Sequence, residues 1–168
     1  MTAVKRCRRC EGPLEIRREN YQYTASGLDD VILGSIEVRY CSACGDRTAI
    51  IPRIEALHRA IAIALAEKRE RLLPKEIRFL RKYMGLSSSD FARKIGVNKA
   101  TISRYESLDD PKPMGKQTER LLRLMVLSER PIESYPLEEM ANEAPKAERM
   151  VLAPNSAGWH REQSVEAV

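Results

Sequence analysis

Residues 86–106 read LSSSDFARKIGVNKATISRYE, and the local signals in this stretch decide how the middle of the chain folds. Ser87 stands where a helix N-cap is expected, with Asp90 three residues further on. Gly96 then interrupts the helical pattern, and Asn98 offers a second N-cap almost immediately. The spacing therefore predicts two short helices joined by a tight glycine turn.

Further helices are predicted on both sides of this pair. The first runs from Lys75 to Met84, with Gly85 closing it, and the last runs from Lys116 to about Ser128. The helix capped by Asn98 is expected to end near Ser107. The apolar side chains that mark these four helices are Ile77, Leu80, Met84, Phe91, Ala92, Ile95, Ile102, Tyr105, Leu121, Leu122, Leu124 and Met125.

An amphipathic linker helix of about five turns is predicted ahead of them, from Arg53 through Arg71. Pro52 is placed at its first position, where a missing N–H is tolerated. Its apolar side chains recur at intervals of three and four residues: Ile54, Leu57, Ile61 and Leu65, with Ala60 and Ala64 beside them. We expect this stripe to pack on its own chain, and a second subunit is the alternative.

All four cysteines fall into two pairs with a two-residue gap, Cys7 with Cys10 and Cys41 with Cys44, and 30 residues separate the pairs. Each gap lets both thiolates face one ion, and two such turns complete the tetrahedron that Zn²⁺ prefers. A glycine follows each pair closely and is expected to take the positive φ of a sharp turn; these are Gly12 and Gly45. We predict one structural Zn²⁺ per chain.

Other uses of the cysteines are disfavoured. Nothing in the sequence indicates the oxidising compartment that two disulfides would need. A redox-active pair normally lies at the start of a helix in an α/β domain, whereas Cys41 ends a strand-like run. Four protein ligands leave no position for a catalytic water, and His58 and His160 lack paired spacing. We therefore expect no enzyme, keep a metal- or thiol-dependent one as the alternative, and interpret His58 as an ordinary helix-surface residue.

Between the cysteine pairs, the residues have the pattern of a small antiparallel sheet. Ile36, Val38 and Tyr40 alternate with charged residues, which is typical of a half-buried strand. The segment from Leu14 to Thr24 is predicted to be extended, and Val31 to Leu33 to form a short extra strand. Because so short a segment buries little apolar surface, we expect the metal to replace its core.

The net charge of +5 is unevenly distributed. Residues 71–130 carry 14 basic and 7 acidic side chains, whereas residues 131–168 carry 3 and 7. Such a basic segment suggests a polyanionic partner, with a well-solvated surface as the alternative. No apolar run is long enough to cross a bilayer and no signal peptide is evident, so we expect a cytoplasmic protein without membrane contact. The tail is expected to be largely disordered, with Trp159 either a partner anchor or incidental.

A short helix, a glycine turn and a second short helix with polar flanks would place that second helix in the major groove of DNA. The stretch from Leu86 to Glu106 resembles the helix-turn-helix of the Xre/Cro repressor family, with Ala92 at its small crossing position, Gly96 at its turn and Ile102 at its buried site. With CRRCEG and CSACGD ahead of it, the organisation over roughly residues 7–130 resembles the YgiT-type zinc finger/helix-turn-helix proteins, which include the MqsA antitoxins.

The resemblance implies a homodimer on a palindromic operator and, often, a small ribonuclease toxin bound by the zinc domain. A regulator without a toxin partner and a zinc module that only docks proteins are the alternatives. The residues expected to face the bases are Asn98, Lys99, Ala100, Thr101 and Arg104, and those expected to face phosphates are Ser87, Ser88, Lys112 and Lys116. In the MqsA pattern an asparagine takes the place of Ala100, so we expect a different operator. Asn98 is equally explained as a pure helix cap, and Arg104 could instead form a surface salt bridge.

The predicted fold is therefore α+β: a small zinc-bound antiparallel β module, a linker helix and an all-α Xre/Cro-type domain. The predicted boundaries are 1–50 for the zinc module, 51–72 for the linker helix, 73–130 for the helix-turn-helix domain and 131–168 for the acidic tail. The module and the helix-turn-helix domain are expected to have separate cores. The function expected is that of a DNA-binding repressor, and the resemblance implies the role of an antitoxin.

Overall fold

The computed structural model describes residues 6–128 and, further along the chain, 152–155 and 158–161. Within residues 6–128, three strands precede five α-helices, which confirms the α+β prediction. We call residues 6–50 the cysteine module and residues 74–127 the helical domain. The elements are β1 Leu14–Gln22, β2 Ile32–Cys41, β3 Arg47–Ile50, α1 Ile54–Glu67, α2 Pro74–Tyr83, α3 Ser88–Lys94, α4 Lys99–Tyr105 and α5 Lys116–Leu127.

The three strands form an antiparallel sheet with β2 in the centre. Val38 on β2 is fully buried and faces the core as its alternation predicted. The separate short strand expected at Val31 to Leu33 is wrong, because β2 runs on continuously from Ile32. A bulge allows this: Ser35 has a φ of 52°, and the register to β1 shifts nearby. The four-residue β3 was not predicted, since it is too short to show an alternation.

The linker helix is shorter than predicted at both ends. Arg53 has a left-handed φ of 47°, so Pro52 lies outside the helix, and Lys68 is already extended. The C-terminal end is set by Arg123 on α5, whose guanidinium donates to the carbonyls of Lys68 and Glu70, the latter at 2.6 Å. These carbonyls therefore bond to a side chain, and the predicted continuation to Arg71 is wrong.

The face of α1 that is buried also differs from the prediction. Ala62 and Ala66 are buried, whereas Ala60 and Ala64 are exposed and Ile54 lies largely in solvent. Small side chains on the buried face let α1 approach α2 and α5 closely. The stripe packs on its own chain, as expected.

A carboxylate buried in this region ties the linker to α5. Glu119 accepts hydrogen bonds from the Leu72 N–H at 3.1 Å and from Arg123 at 2.8 Å, and it forms an ion pair with Arg71. Burial raises the pKa of the Glu119 carboxyl, but the hydrogen bonds from Arg71 and Arg123 outweigh it and hold that pKa below its usual range. The linker is therefore fixed by charge as well as by packing.

The core of the helical domain contains the side chains that its periodicity indicates. Leu80, Phe91, Ile102 and Leu122 are fully buried there. Leu121 and Leu124 of the marked leucines are exposed instead.

The cysteine module shares an apolar core with the helices. Leu28, in the loop between β1 and β2, is buried in the same apolar cluster as the helices. The Tyr23 hydroxyl lies 2.9 Å from His58 Nε2 on α1, and the two rings stack with centroids 6.0 Å apart. The prediction of separate cores is therefore wrong. The interpretation of His58 as an ordinary surface residue is wrong too. Both features depend on contacts between segments that are far apart in the sequence.

The tail contains two short strands, β4 Leu152–Asn155 and β5 Gly158–Arg161, which pair antiparallel. In this pairing Leu152 is opposite Arg161 and Asn155 is opposite Gly158. The tail was expected to be largely disordered, and these eight residues are extended and paired. The rest of that prediction lies outside the described residues, as does the environment of the Trp159 side chain.

Candidate metal centre and nucleic-acid interface

The four cysteine sulfurs converge on one point. All four Sγ atoms lie within 4.8 Å of one another. Sγ of Cys7 is 3.7 Å from that of Cys44, and Sγ of Cys10 is 3.4 Å from that of Cys41. A tetrahedral ion with metal–sulfur bonds of about 2.3 Å needs sulfur–sulfur edges of about 3.8 Å. The residues therefore fit a tetrahedral metal ion.

Each cysteine pair sits in a turn of the same construction. The Glu11 N–H donates to the Cys7 carbonyl at 2.9 Å, and the Gly45 N–H donates to the Cys41 carbonyl at 2.9 Å. The residue after each pair is left-handed, with a φ of 60° at Glu11 and 72° at Gly45. The expected positive φ is confirmed for Gly45 and wrong for Gly12, because the left-handed position in the first turn falls one residue earlier.

Gly12 is required for a different reason: neighbouring atoms lie too close to its backbone for a side chain to fit. A β-carbon at this position would lie 2.9 Å from the Ala43 Cβ and 3.2 Å from the Cys10 Sγ. The second distance matters because that sulfur is one of the four converging donors. Any side chain at residue 12 therefore pushes the two turns apart.

We expect Gly12→Ala to lower the free energy of unfolding by about 1–3 kcal/mol through overpacking and to weaken metal binding. The sign is diagnostic, because Gly→Ala at an unstrained position normally stabilises by about 0.4–1 kcal/mol. Thermal unfolding and competition with a chromophoric chelator measure the two effects.

Two further variants control this experiment. Gly34→Ala is the matched control, since its β-carbon would meet only Asn20 Oδ1, at 3.9 Å. Adding Ala43→Gly to Gly12→Ala removes the nearest obstacle and should restore part of the loss. Unchanged metal affinity and melting temperature in Gly12→Ala would show that the close approach is not limiting.

The thiols differ in acidity because of what they contact. The backbone N–H of Cys44 is the main cause that lowers the pKa of the Cys41 thiol to about 7. The Gly12 N–H has the same effect on Cys10, but hydrogen bonds with the Cys41 and Cys44 thiols outweigh it and raise the pKa of Cys10 to about 12. Such a cluster retains protons until a cation enters, so metal binding releases protons and weakens in acid.

The short helices in the helical domain have the caps predicted for them. Ser87 Oγ accepts a hydrogen bond from the Asp90 N–H at 3.1 Å. Asn98 Oδ1 accepts one from the Thr101 N–H and one from the Thr101 hydroxyl, both at 2.8 Å. Between them Gly96 has a φ of 69°, which the turn requires.

One face of α4 is exposed and polar. Lys99, Ala100, Ser103 and Arg104 lie on this face, at helical spacings of three and four residues. Within residues 6–128, the side chains of Lys99 and Arg104 have no hydrogen-bond or ion-pair partner, so the alternative of a surface salt bridge at Arg104 is not seen there. Ser103 is an addition that the sequence did not single out. We call this surface the α4 face.

The other predicted contact residues lie at the start of α3, in the loop after α4 and at the start of α5. Ser87 also donates to the Asp90 carboxylate, so its hydroxyl is already used, and Ser88 is half-buried in the first turn of α3. Lys112 and Lys116 are exposed, the second at the start of α5.

A buried ion pair holds the far end of α4. Nε and Nη2 of Arg81 donate to the two carboxylate oxygens of Glu106 at 2.6 and 2.8 Å, and Nη1 donates to the Leu86 carbonyl at 2.7 Å. Both residues are buried, and the carboxylate raises the pKa of the Arg81 guanidinium. The sequence did not reveal this pair, because its members are 25 positions apart and no periodicity connects them.

Two short capped helices, a glycine turn and an exposed polar face on the second helix define a helix-turn-helix. Residues 77–114 match the family model described as Helix-turn-helix. No curated protein and no solved structure matches the chain. The match supports a DNA-binding transcription regulator. Among the described residues, there is no helix with the length and apolar character needed to span a membrane.

Proposed function

We propose that this chain is a zinc-stabilised transcriptional repressor that binds a palindromic operator as a homodimer and is not an enzyme. The observation that carries the proposal is the α4 face, where two cationic side chains project without partners among the described residues. In a helix-turn-helix, the second helix enters the major groove of DNA, and α4 has this position.

Each residue type on the α4 face suits a particular base edge. Lys99 and Arg104 suit O6 and N7 of guanine, and the methyl group of Ala100 suits thymine. Thr101 is half-buried outside this face, and its methyl group also suits thymine. Asn98 is bonded to Thr101, so its contribution is the cap that starts the helix. Ser103 adds a hydroxyl one turn beyond Lys99.

The proposed phosphate contacts come from α3, from the loop after α4 and from α5. Lys112 and Lys116 supply charge, and Ser87 and Ser88 supply N–H groups at the start of α3. Such contacts set the position of the protein on the duplex without reading its sequence.

Zinc is the proposed occupant of the cysteine cluster. Four thiolates in a tetrahedron are the ligand set that Zn²⁺ takes in structural sites. Since the protein supplies all four ligands, the ion would stabilise the fold and leave no position for a substrate. We expect one Zn²⁺ per chain.

A homodimer is supported by an apolar stripe on α5. Leu121, Leu124 and Leu127 recur at three-residue intervals, and Leu124 is 65% exposed. Burying such a stripe against a second copy would present two α4 faces to half-sites about 34 Å apart.

Substitutions on the α4 face test the function. Arg104→Ala and Lys99→Ala should each weaken binding to the operator by about 1–3 kcal/mol and relax sequence preference. Lys116→Ala should lower affinity for all sequences alike and reduce the slope of log K against log salt by about one. Binding to a selected operator and to random DNA is measured at several salt concentrations. Arg59→Ala, an exposed arginine on α1, is the control.

Two results would contradict the proposal. One is equal loss of affinity for operator and random DNA in all three variants, which would exclude α4 as the reading helix. The other is no selectable operator at all.

A role as the antitoxin of a small basic ribonuclease is a second candidate. It is favoured by β1, which forms an outer edge of the described sheet, and by Ile32 on β2, which is 66% exposed. A toxin strand could add to this edge near Tyr21. Tyr23, which follows β1, is buried against His58 and is not available to a partner. The acidic tail, with its net charge of −4, is the rival site.

Capture of the neighbouring gene's product by the full chain tests this role. A chain ending at residue 130 separates the two sites, because it retains the sheet edge and lacks the acidic tail. Failure of both chains to capture that product would leave a repressor without a toxin.

A further inference from the structure

A cavity of about 380 Å³ lies where the cysteine module meets the helices. Ser26 and Gly27, in the turn after β1, form one wall, and His58 on α1 and Phe79 on α2 form others. Pockets that hold small molecules measure about 300–1,000 Å³, so this cavity is large enough for a small ligand. The helix-turn-helix described above does not use it.

The charge around the cavity has one sign. Lys75, Arg78 and Lys82, spaced along one face of α2, all line it, and no carboxylate does. Lys75 forms an ion pair with Asp29. Arg78 forms one with Glu106, with 3.5 Å between Nε and Oε2, and its Nη2 also donates to the Glu106 carbonyl at 2.8 Å. Lys82 is exposed and has no hydrogen-bond or ion-pair partner among the described residues. The cavity therefore presents one uncompensated ammonium group beside two further cations.

The remaining lining is apolar and aromatic. The Phe79 ring meets the His58 ring edge-on, with centroids 6.1 Å apart, and is almost fully buried. Tyr83 and Leu108 also line the cavity, and they are 37% and 55% exposed. Large apolar side chains exposed beside a concave surface are typical of ligand sites. A cation next to such surfaces suits a molecule with an anionic group on a flat apolar body.

We propose that this cavity binds a small organic anion, of the class of aromatic carboxylates, and that its binding is linked to the position of α4. Arg78 connects the two, since it lines the cavity and also bonds to Glu106, the residue that ends α4. Leu108, which also lines the cavity, follows two residues later. A ligand that engages Arg78 competes with that bond, and any effect on DNA affinity must be reciprocal. Only the effect on DNA affinity rests on the proposed function.

Benzoate is the probe, titrated into the full zinc-loaded chain and followed by amide chemical shifts. We expect saturable binding with shifts around Gly27 and Tyr83. Lys82→Met should weaken it about tenfold, as expected for one charge-assisted hydrogen bond. Benzamide, which has the same shape without the charge, should lose a similar factor. Arg59→Met, on α1 outside the cavity, should leave benzoate affinity unchanged.

The same samples test the link to DNA. Saturating benzoate should change operator affinity in the wild-type chain but not in Lys82→Met at the same concentration. Absence of saturable binding, or equal affinity for benzamide, would overturn the site, and unchanged operator affinity would overturn the link. Operator affinity without benzoate reports on the proposed function separately, so the two failures are distinguishable.

Discussion

Replacing Cys41 with serine is expected to release the metal and unfold the sheet of the cysteine module. Cys41 is buried at the end of β2, where it pairs with Leu14 on β1, so loss of its thiolate removes a metal ligand and frees both strand ends. Structural zinc in modules of this size contributes about 10–16 kcal/mol of apparent binding free energy. The zinc content measured by elemental analysis should fall from one equivalent per chain to nearly none. The amide NMR signals of the β-strands should lose their dispersion.

The helical domain is expected to remain folded in this variant but to melt at a lower temperature. Leu28 would leave the shared core, and burial of a leucine side chain is worth about 1.5–3 kcal/mol. The Tyr23–His58 contact would be lost as well. Ser42→Ala, an exposed position within the same turn, is the control. Full metal occupancy with an intact sheet in Cys41→Ser would overturn the assignment of the cluster.

Glu106→Gln is expected to destabilise the helical domain by about 3–5 kcal/mol, because it leaves the buried Arg81 guanidinium without its counter-charge. Since Glu106 also ends α4, operator affinity should fall together with stability. Urea unfolding measures the first effect, and binding at a temperature where the variant is folded measures the second.

Two comparisons separate this effect from general sensitivity to charge. The exposed pair of Asp90 and Arg93 is the control, and Arg93→Gln should cost about 0–1 kcal/mol. The double variant Arg81→Met with Glu106→Leu should recover much of the lost stability, because apolar residues of similar volume often replace buried ion pairs without loss. Equal costs for Glu106→Gln and Arg93→Gln would contradict a stabilising role of the buried pair.

The features predicted correctly are those whose chemistry acts over a few residues. A cap such as Ser87 or Asn98 bonds to an N–H three positions away, and Gly96 relieves a strain within its own residue. The cysteine pairs are equally local, since a two-residue gap already directs both thiols to one side. These short-range signals were enough to locate the helix-turn-helix and the four cysteines that could hold a metal ion.

The features missed depend on partners distant in the chain. The end of α1 is set by Arg123, more than fifty residues later. The environment of His58 is set by Tyr23, which is 35 positions earlier in the chain. Gly12 is constrained by Ala43 across the metal centre. No periodicity or residue type marks such pairings, because they arise only when the elements pack.

The shortness of α3 and α4, seven residues each, has a consequence for how tightly DNA can be held. Helices of this length do not persist alone in water, where about 12–15 residues are needed even for marginal stability. Here Ile102 and the Arg81–Glu106 pair keep α4 helical in the free chain. Ordering backbone costs about 1–2 kcal/mol for each residue, and a protein that is already ordered avoids this loss when it meets the duplex. The conformational entropy of α4 is therefore lost when the chain folds and not when it binds DNA. More of the free energy of the protein–DNA contacts then contributes to affinity.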